Sequence, residues 1–353
     1  MHKDLATFAA HLRGLIAIPH SAFHAPQFSE LALELFALQF QANSAYRKIC
    51  EARKLTPGTV TDWTQIPAVP TAAFKELELT SLAPVARTAV FHSSGTTAQQ
   101  PSRHFHSASS LALYEASLWT WFAQNVGADF RLISLTPPPA QVPHSSLVHM
   151  FETVRQKLGA KDGVFIGDVS VDGVWTLGVK ETMAALNGSL ASRQPSLYLG
   201  TAFSFVHLLD YLVERDLRVK LPAGSRVMET GGYKNRSRVL PKAELHALIT
   251  DRLGVPRENI ICEYGMSELS SQAYDFGRSF HFPPWARGQI ISPETGREVA
   301  DGEAGLIRVL DLANVYSVAA IQTEDLGVRR GDGFELIGRA QLSEPRGCSL
   351  MTA

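Results

Sequence analysis

Between residues 107 and 263 the chain alternates helix-length and strand-length apolar segments, and no other feature limits its fold as strongly. Helical patterns run over 107–125, 144–158, 174–188, 202–216 and 241–253. Short apolar runs at 130–136, 163–167, 195–199, 226–229 and 258–263 read as strands between them. A βα rhythm of this kind predicts an α/β fold with a mainly parallel sheet and helices on both faces. Residues 1–60 read as helical, with Phe28–Leu55 as one long segment, and Pro67–Lys75 is a proline-punctuated connector. Beyond 285 the character changes to short β segments at Gly305–Leu310, Val315–Ile321 and Phe334–Ile337. A small barrel or a distorted sheet is expected there.

Three polar segments punctuate this frame. His92-Ser93-Ser94-Gly95-Thr96-Thr97, followed by Pro101-Ser102-Arg103, places hydroxyls around one glycine. Gly95 opens backbone conformations closed to other residues, and the hydroxyls and free amides of such a turn donate to phosphate oxygens. The chain holds no G-x-x-x-x-G-K-[ST], so this is not a P-loop. Ile260–Glu268 reads as a buried strand running into a turn with an aromatic, Tyr264, and a carboxylate, Glu268. Thr323-Glu324-Asp325-Leu326-Gly327, Gly331-Asp332-Gly333-Phe334 and Gly338-Arg339 read as a strand, a tight hairpin and a second strand.

Taken in order, these segments resemble the adenylate-forming superfamily of acyl-CoA synthetases, aryl-CoA ligases and luciferases, over roughly residues 88–340. The resemblance implies that ATP and Mg²⁺ are used to join a carboxylate to the α-phosphate. Ser93, Ser94, Gly95, Thr96 and Thr97 would hold the β- and γ-phosphates, with Arg103 adding charge where the superfamily usually has Lys. Glu268 would bind Mg²⁺, a hard oxygen ligand for a hard cation. Tyr264 would stack on adenine within the turn Tyr264-Gly265-Met266, and Asp325 would accept from both ribose hydroxyls. Gly231-Gly232 resembles the adenine-binding turn, Lys234 beside it could reach the α-phosphate, and Arg339 closes the nucleotide site. The phosphate loop departs from the superfamily pattern, because Ala98-Gln99-Gln100 intervenes before Pro101 and makes it one residue longer. Glu324 stands where Gly is usual.

In most of the superfamily a mobile C-terminal domain follows the Gly-Arg hinge. Here fourteen residues follow Arg339, so that domain is expected to be absent. A short chain ending in Gly338-Arg339-Ala340 and Ser343-Glu344-Pro345-Arg346-Gly347-Cys348-Ser349-Leu350 resembles the acyl-protein synthetases of bacterial luminescence, over nearly its whole length. That resemblance implies a fatty acid substrate, transfer of the acyl group from AMP to Cys348, and onward transfer to a cysteine of a partner reductase. Arg346 beside Cys348 would lower the thiol's pKa, and a free terminus can swing between two sites. The expected division is a helical region 1–75, a nucleotide- and acyl-binding core 76–284, a β subdomain 285–340 completing the ATP site, and a tail 341–353 carrying Cys348.

The acyl slot is expected from the stretch between the phosphate loop and the adenine turn, with His144, Tyr198, Gly200, Thr201 and Phe203 lining it. His144 and His149 lie five apart and face different sides of a helix, which makes a poor metal pair. Cys262 in its Ile-Ile-Cys strand and Cys50 at a helix end read as small buried hydrophobes. A net charge of −1 offers nothing to nucleic acid or an anionic membrane, and three cysteines fit a reducing cytosol, so a cytoplasmic enzyme is expected. No signal-peptide core or eighteen-residue apolar run occurs. Neither G-x-S-x-G nor H-E-x-x-H is present, which argues against a hydrolase. A CoA ligase of the phenylacetate type and a non-catalytic scaffold subunit of a reductase complex stay open, as does oligomerisation.

Overall fold

The computed structural model describes residues 2–18, 23–93, 100–160, 163–231 and 240–339. Three helices open the chain: α1 (Leu5–Ile16), α2 (Ala25–Ala42) and α3 (Ser44–Ala52). Strand β1 (Val69–Pro70) and one helical turn, α4 (Ala73–Glu76), lead into a hairpin, β2 (Ala89–His92) with β3 (Arg103–His106). Helices and strands then alternate: α5 (Ala108–Asn125), β4 (Arg131–Ser134), α6 (Ser146–Lys157) and β5 (Val164–Phe165). A small hairpin, β6 (Gly167–Val169) with β7 (Trp175–Leu177), precedes α7 (Val179–Ser192), β8 (Ser196–Thr201) and α8 (Ala202–Glu214). After β9 (Arg226–Thr230) and α9 (Lys242–Leu253) come β10 (Ile260–Tyr264), β11 (Ala273–Asp275), β12 (Ala286–Ile291), β13 (Ala304–Asp311), β14 (Ala320–Arg330) and β15 (Gly333–Arg339).

The expected parallel sheet is present. Its order is β11-β10-β9-β8-β4-β5, parallel throughout except at β11, which runs antiparallel on the edge. Every residue of β8 and of β10 is buried, as strands covered on both faces must be. Local signals start the flanking helices. Ser107 caps α5 in a reciprocal box with Ser110, Ser145 caps α6, and Thr201 caps α8, each side chain accepting from a backbone amide three residues on.

The C-terminal β region is a distorted five-stranded sheet, β1-β14-β13-β12 with β15 on β14 and register breaks at Leu306/Arg308 and Leu326/Gly327. The connector expected at 67–75 enters it, Val69 pairing with Ile321 in parallel. Phe8, Leu12, Phe28, Leu35 and Phe36 of the first two helices share one core with Trp285, Ile307, Val309 and Ile321. Buried Gln39 secures that contact, donating to the carbonyls of Asn314 (2.8 Å) and Val315 (3.1 Å) and accepting from Ala319 N (3.0 Å).

Three expected elements differ. The long helix Phe28–Leu55 is broken at Asn43, whose backbone is extended (φ −106, ψ 98) because its side chain caps α3 and donates to Ser317 O. The helix expected over 174–188 starts only at Val179. Gly173 at φ +72 turns the chain so that Trp175–Leu177 pairs back on Gly167–Val169. The strand expected at Val315–Ile321 begins at Ala320, since the preceding residues are held by Gln39 and Asn314.

Candidate active site

The hydroxyl-rich loop connects β2 to β3, and its base is held by Ser93. Ser93 N donates to Ser102 O (3.3 Å) and Ser102 N donates to Ser93 Oγ (3.0 Å). Ser94, Gly95, Thr96, Thr97, Ala98 and Gln99 lie outside the described residues. From this base buried Ser102 donates to Glu268 Oε1 at 2.5 Å, while Ser267 Oγ donates to Glu268 Oε2 at 2.9 Å. The two hydroxyl oxygens are 3.4 Å apart. An all-oxygen set of one carboxylate and two hydroxyls is the donor chemistry that Mg²⁺ prefers, so these residues fit the expected ion.

The turn after β10 is fixed from behind. His104 Nδ1 donates to Ser267 O (2.9 Å), and burial pushes that imidazole's pKa down to about 4, which keeps it neutral. Asn314 Nδ2 donates to the Glu268 carbonyl (2.9 Å). Asp311, whose pKa burial raises to about 6, accepts from Ser270 N, Ser271 Oγ and Ala313 N. Ser102 and Ser267 lie inside segments conspicuous in the sequence, but nothing in their spacing pairs either with Glu268. No local signal marks Asp311 or Asn314. Arg103 stands at the hairpin beside Glu78 (3.9 Å) and 5.9 Å from the Phe105 ring centre, so part of its charge is already balanced.

At the other end of the same turn, Tyr264 donates through its hydroxyl to Asp325 Oδ2 (2.9 Å), and Arg339 Nε donates to Asp325 Oδ1 (3.3 Å). Asp325 and Arg339 are direct partners across β14 and β15. A carboxylate has about four lone-pair sites, so two acceptor positions remain for a diol. The Tyr264 ring is buried edge-on against Phe334 (5.3 Å) and near Phe280 and Phe282; Gly265 is exposed and Met266 half-buried. Gly231 is exposed at the end of β9, whereas Gly232 and Lys234 lie outside the described residues, as does Cys348.

Asp325→Ala should raise the ATP KM roughly tenfold or more, since one charge-assisted anchor is worth about 1.5–3 kcal/mol. Steady-state kinetics with ATP varied would show it, and unaltered ATP dependence would place the nucleotide elsewhere.

Glu263, between these two ends, is wholly buried, and its pKa is raised from 4.5 to about 7, mainly by burial and against a hydrogen bond with Thr230. The folded chain therefore holds this proton more tightly than the unfolded chain. The stability so supplied is complete below pH 4.5 and is lost as pH rises to about 7. Glu263→Gln should match wild type near pH 4.5 and exceed it at pH 8 by about 3 kcal/mol at most. Melting curves of both proteins across that range test this, and parallel curves would refute it.

Among the expected acyl residues, His144 is brought to the β2–β3 hairpin. Its ring stacks on His92 at 4.6 Å, its Nδ1 donates to Val90 O, and its carbonyl accepts from His92 N. His149 instead meets Glu115 (3.0 Å). Gly200 and Thr201 end β8. A methyl at Gly200 would lie 3.1 Å from Leu135 and 3.2 Å from Phe205, so a side chain there would push both neighbours back by a few tenths of an ångström. Phe203 is half-buried, edge-on to His207. Tyr198 departs from expectation: it is fully buried in the core with Leu186 and Val227, its hydroxyl paired with Ser189, and so packs the sheet rather than lining a slot.

The model of the family described as acyl-protein synthetase, LuxE, matches residues 24–353. The long-chain-fatty-acid–luciferin-component ligase of Aliivibrio fischeri is 30% identical over 176 residues, 46% of this chain and 46% of that enzyme. The corresponding ligase of Vibrio harveyi is 21% identical over 338 residues, 91% and 86% of the two chains. The chain thus aligns with about half the length of the first relative and most of the second. Among solved structures, 2-hydroxyisobutyryl-CoA ligase in its thioesterification state superposes with a TM-score of 0.66 at 12% identity, covering 90% of this chain and 69% of that one. ATP-bound MatB from Rhodopseudomonas palustris gives 0.51 at 15% identity, covering 73% and 49%. These likenesses establish an adenylate-forming fold. The chain belongs to the acyl-protein synthetase (LuxE) family.

Proposed function

We propose that this protein is a ligase that activates a long-chain fatty acid with ATP and passes the acyl group to a protein thiol. One observation carries the reading. The turn Tyr264–Glu268 reaches Asp325 at one end and Ser102, at the base of the phosphate-type hairpin, at the other. A nucleotide with its ribose at Asp325 would lay its phosphates toward Glu268. A carboxylate oxygen of the fatty acid then attacks the α-phosphorus and pyrophosphate leaves.

The chain contributes mainly position and charge. Asp325 accepts from the ribose hydroxyls while Tyr264 and Arg339 hold it in place. Glu268, with the Ser102 and Ser267 hydroxyls, would hold Mg²⁺, which when bound neutralises charge on the phosphate oxygens. Gly231, Gly232 and Lys234 would border the adenine and α-phosphate. His144, Gly200, Thr201 and Phe203 would border the acyl carboxylate. In the second half-reaction the Cys348 thiolate attacks the acyl carbon, AMP leaves with the bonding electron pair, and a thioester forms. The final acceptor is a cysteine of a partner reductase.

No helix among the described residues is long and apolar enough to cross a membrane; the reaction is placed in the cytoplasm as part of this proposal. ATP–pyrophosphate exchange driven by fatty acids of graded length tests the first step. Absence of exchange with every length would sink the reading, and acyl-CoA formation in place of a protein thioester would make the chain a CoA ligase.

A further inference from the structure

On the face of the main sheet covered by α9, five chemistry-bearing side chains meet that the reaction does not use. Glu229, Cys262 and Asp275 are register neighbours across β9, β10 and β11. Lys242 and His246, one helical turn apart on α9, face them. Lys242 donates to Asp275, Nζ to Oδ2 at 2.5 Å, and also bears on the Cys262 thiol, while Asp275 Oδ1 accepts from Gly277 N and Arg278 N. The remaining three groups face one another. His246 Nε2 is 3.3 Å from Glu229 Oε1 and 3.7 Å from Cys262 Sγ, and all three donor atoms lie within 4.8 Å of each other. Glu229, His246 and Cys262 are 7%, 1% and 3% exposed.

We propose that Glu229, His246 and Cys262 form a buried site for one zinc-like divalent cation, separate from the Mg²⁺ position at Glu268. Edge lengths support it. Zinc bonds of about 2.0–2.1 Å to N and O and about 2.3 Å to S, arranged tetrahedrally, separate N from O by about 3.3 Å and N from S by about 3.6 Å. The observed separations are 3.3 and 3.7 Å. Imidazole, carboxylate and thiolate together are a donor set that suits zinc and is too soft for Mg²⁺. Charge points the same way. Lys242 and Asp275 cancel, leaving Glu229 and, once metal displaces its proton, Cys262 as two negative charges against one dication. Without metal, burial and the Glu229 charge push the Cys262 thiol's pKa up and favour its protonated form.

The site has a mechanical consequence. It would tie α9 to β9 and β10 where those strands deliver Thr230–Gly231 and Tyr264–Glu268 to the nucleotide site.

The test uses the full chain, expressed with zinc and freed of any affinity tag. Elemental analysis should find about one zinc per chain after dialysis against a weak chelator. Substitution by Co²⁺ should give visible bands of tetrahedral cobalt with a near-ultraviolet thiolate charge-transfer band. Cys262→Ala and His246→Gln should each reduce bound zinc at least tenfold while circular dichroism still reports the native fold. A zinc-free wild type with no cobalt–thiolate band would overturn the proposal and leave a hydrogen-bonded triad, as would zinc retained by both folded variants. Should neither variant fold, the cobalt spectrum of the wild type decides alone.

Discussion

Glu268→Gln should lower fatty-acid-dependent pyrophosphate exchange by about 10²–10³-fold, with little change in melting temperature. The Glu268 side chain accepts from the Ser102 hydroxyl through Oε1 and from the Ser267 hydroxyl through Oε2. Glutamine keeps the shape and one acceptor oxygen, while Asn314 still holds the backbone carbonyl, so the turn should survive. The negative charge is lost, and a neutral amide is a far poorer ligand for a hard dication. Exchange measured against Mg²⁺ concentration separates the two effects. Activity within a few-fold of wild type at low Mg²⁺ would take the metal role away from Glu268. A large drop in melting temperature would instead make Glu268 a structural member of the Ser102–Ser267 network.

Cys348→Ser should have an equally large effect on the other half-reaction. Pyrophosphate exchange should stay near the wild-type rate, because adenylation needs no thiol. The acyl-enzyme that withstands denaturation and yields to hydroxylamine should fall by about a hundredfold or more. A thiol is far more acidic and more nucleophilic than an alcohol, and a serine hydroxyl in that place stays protonated. Labelled fatty acid, ATP and a denaturing gel give the readout. Label persisting in Cys348→Ser would move the acceptor to another residue. No label in wild type while CoA is consumed would mean that small-molecule thiol is the acceptor. Cys50 and Cys262, both buried, serve as internal controls.

The chain's spacing alone determined the βα alternation and the strand–hairpin–strand of β14 and β15, because each is a short-range pattern, and the parallel sheet followed from that alternation by the packing rule for βα units. The order of Ser93, Tyr264, Glu268 and Asp325 likewise carried the resemblance from which the nucleotide site is proposed, since charge and hydroxyl clusters are local in sequence. Local pattern failed where a distant partner outweighed it. Asn43 breaks an otherwise continuous helical run because Ser317 and the α3 amides hold its side chain. Trp175–Leu177 leaves helix because Gly173 folds it onto β6. Tyr198 looked like a slot residue, but its even-numbered place in a strand buried on both faces put it under α7, against Ser189. Tertiary structure alone joined Ser102 to Glu268 across 166 residues, and gathered Glu229, His246 and Cys262 beneath α9. Such meetings depend on strand order, register and the angle of a packed helix, and none of these is written in the spacing of neighbouring residues.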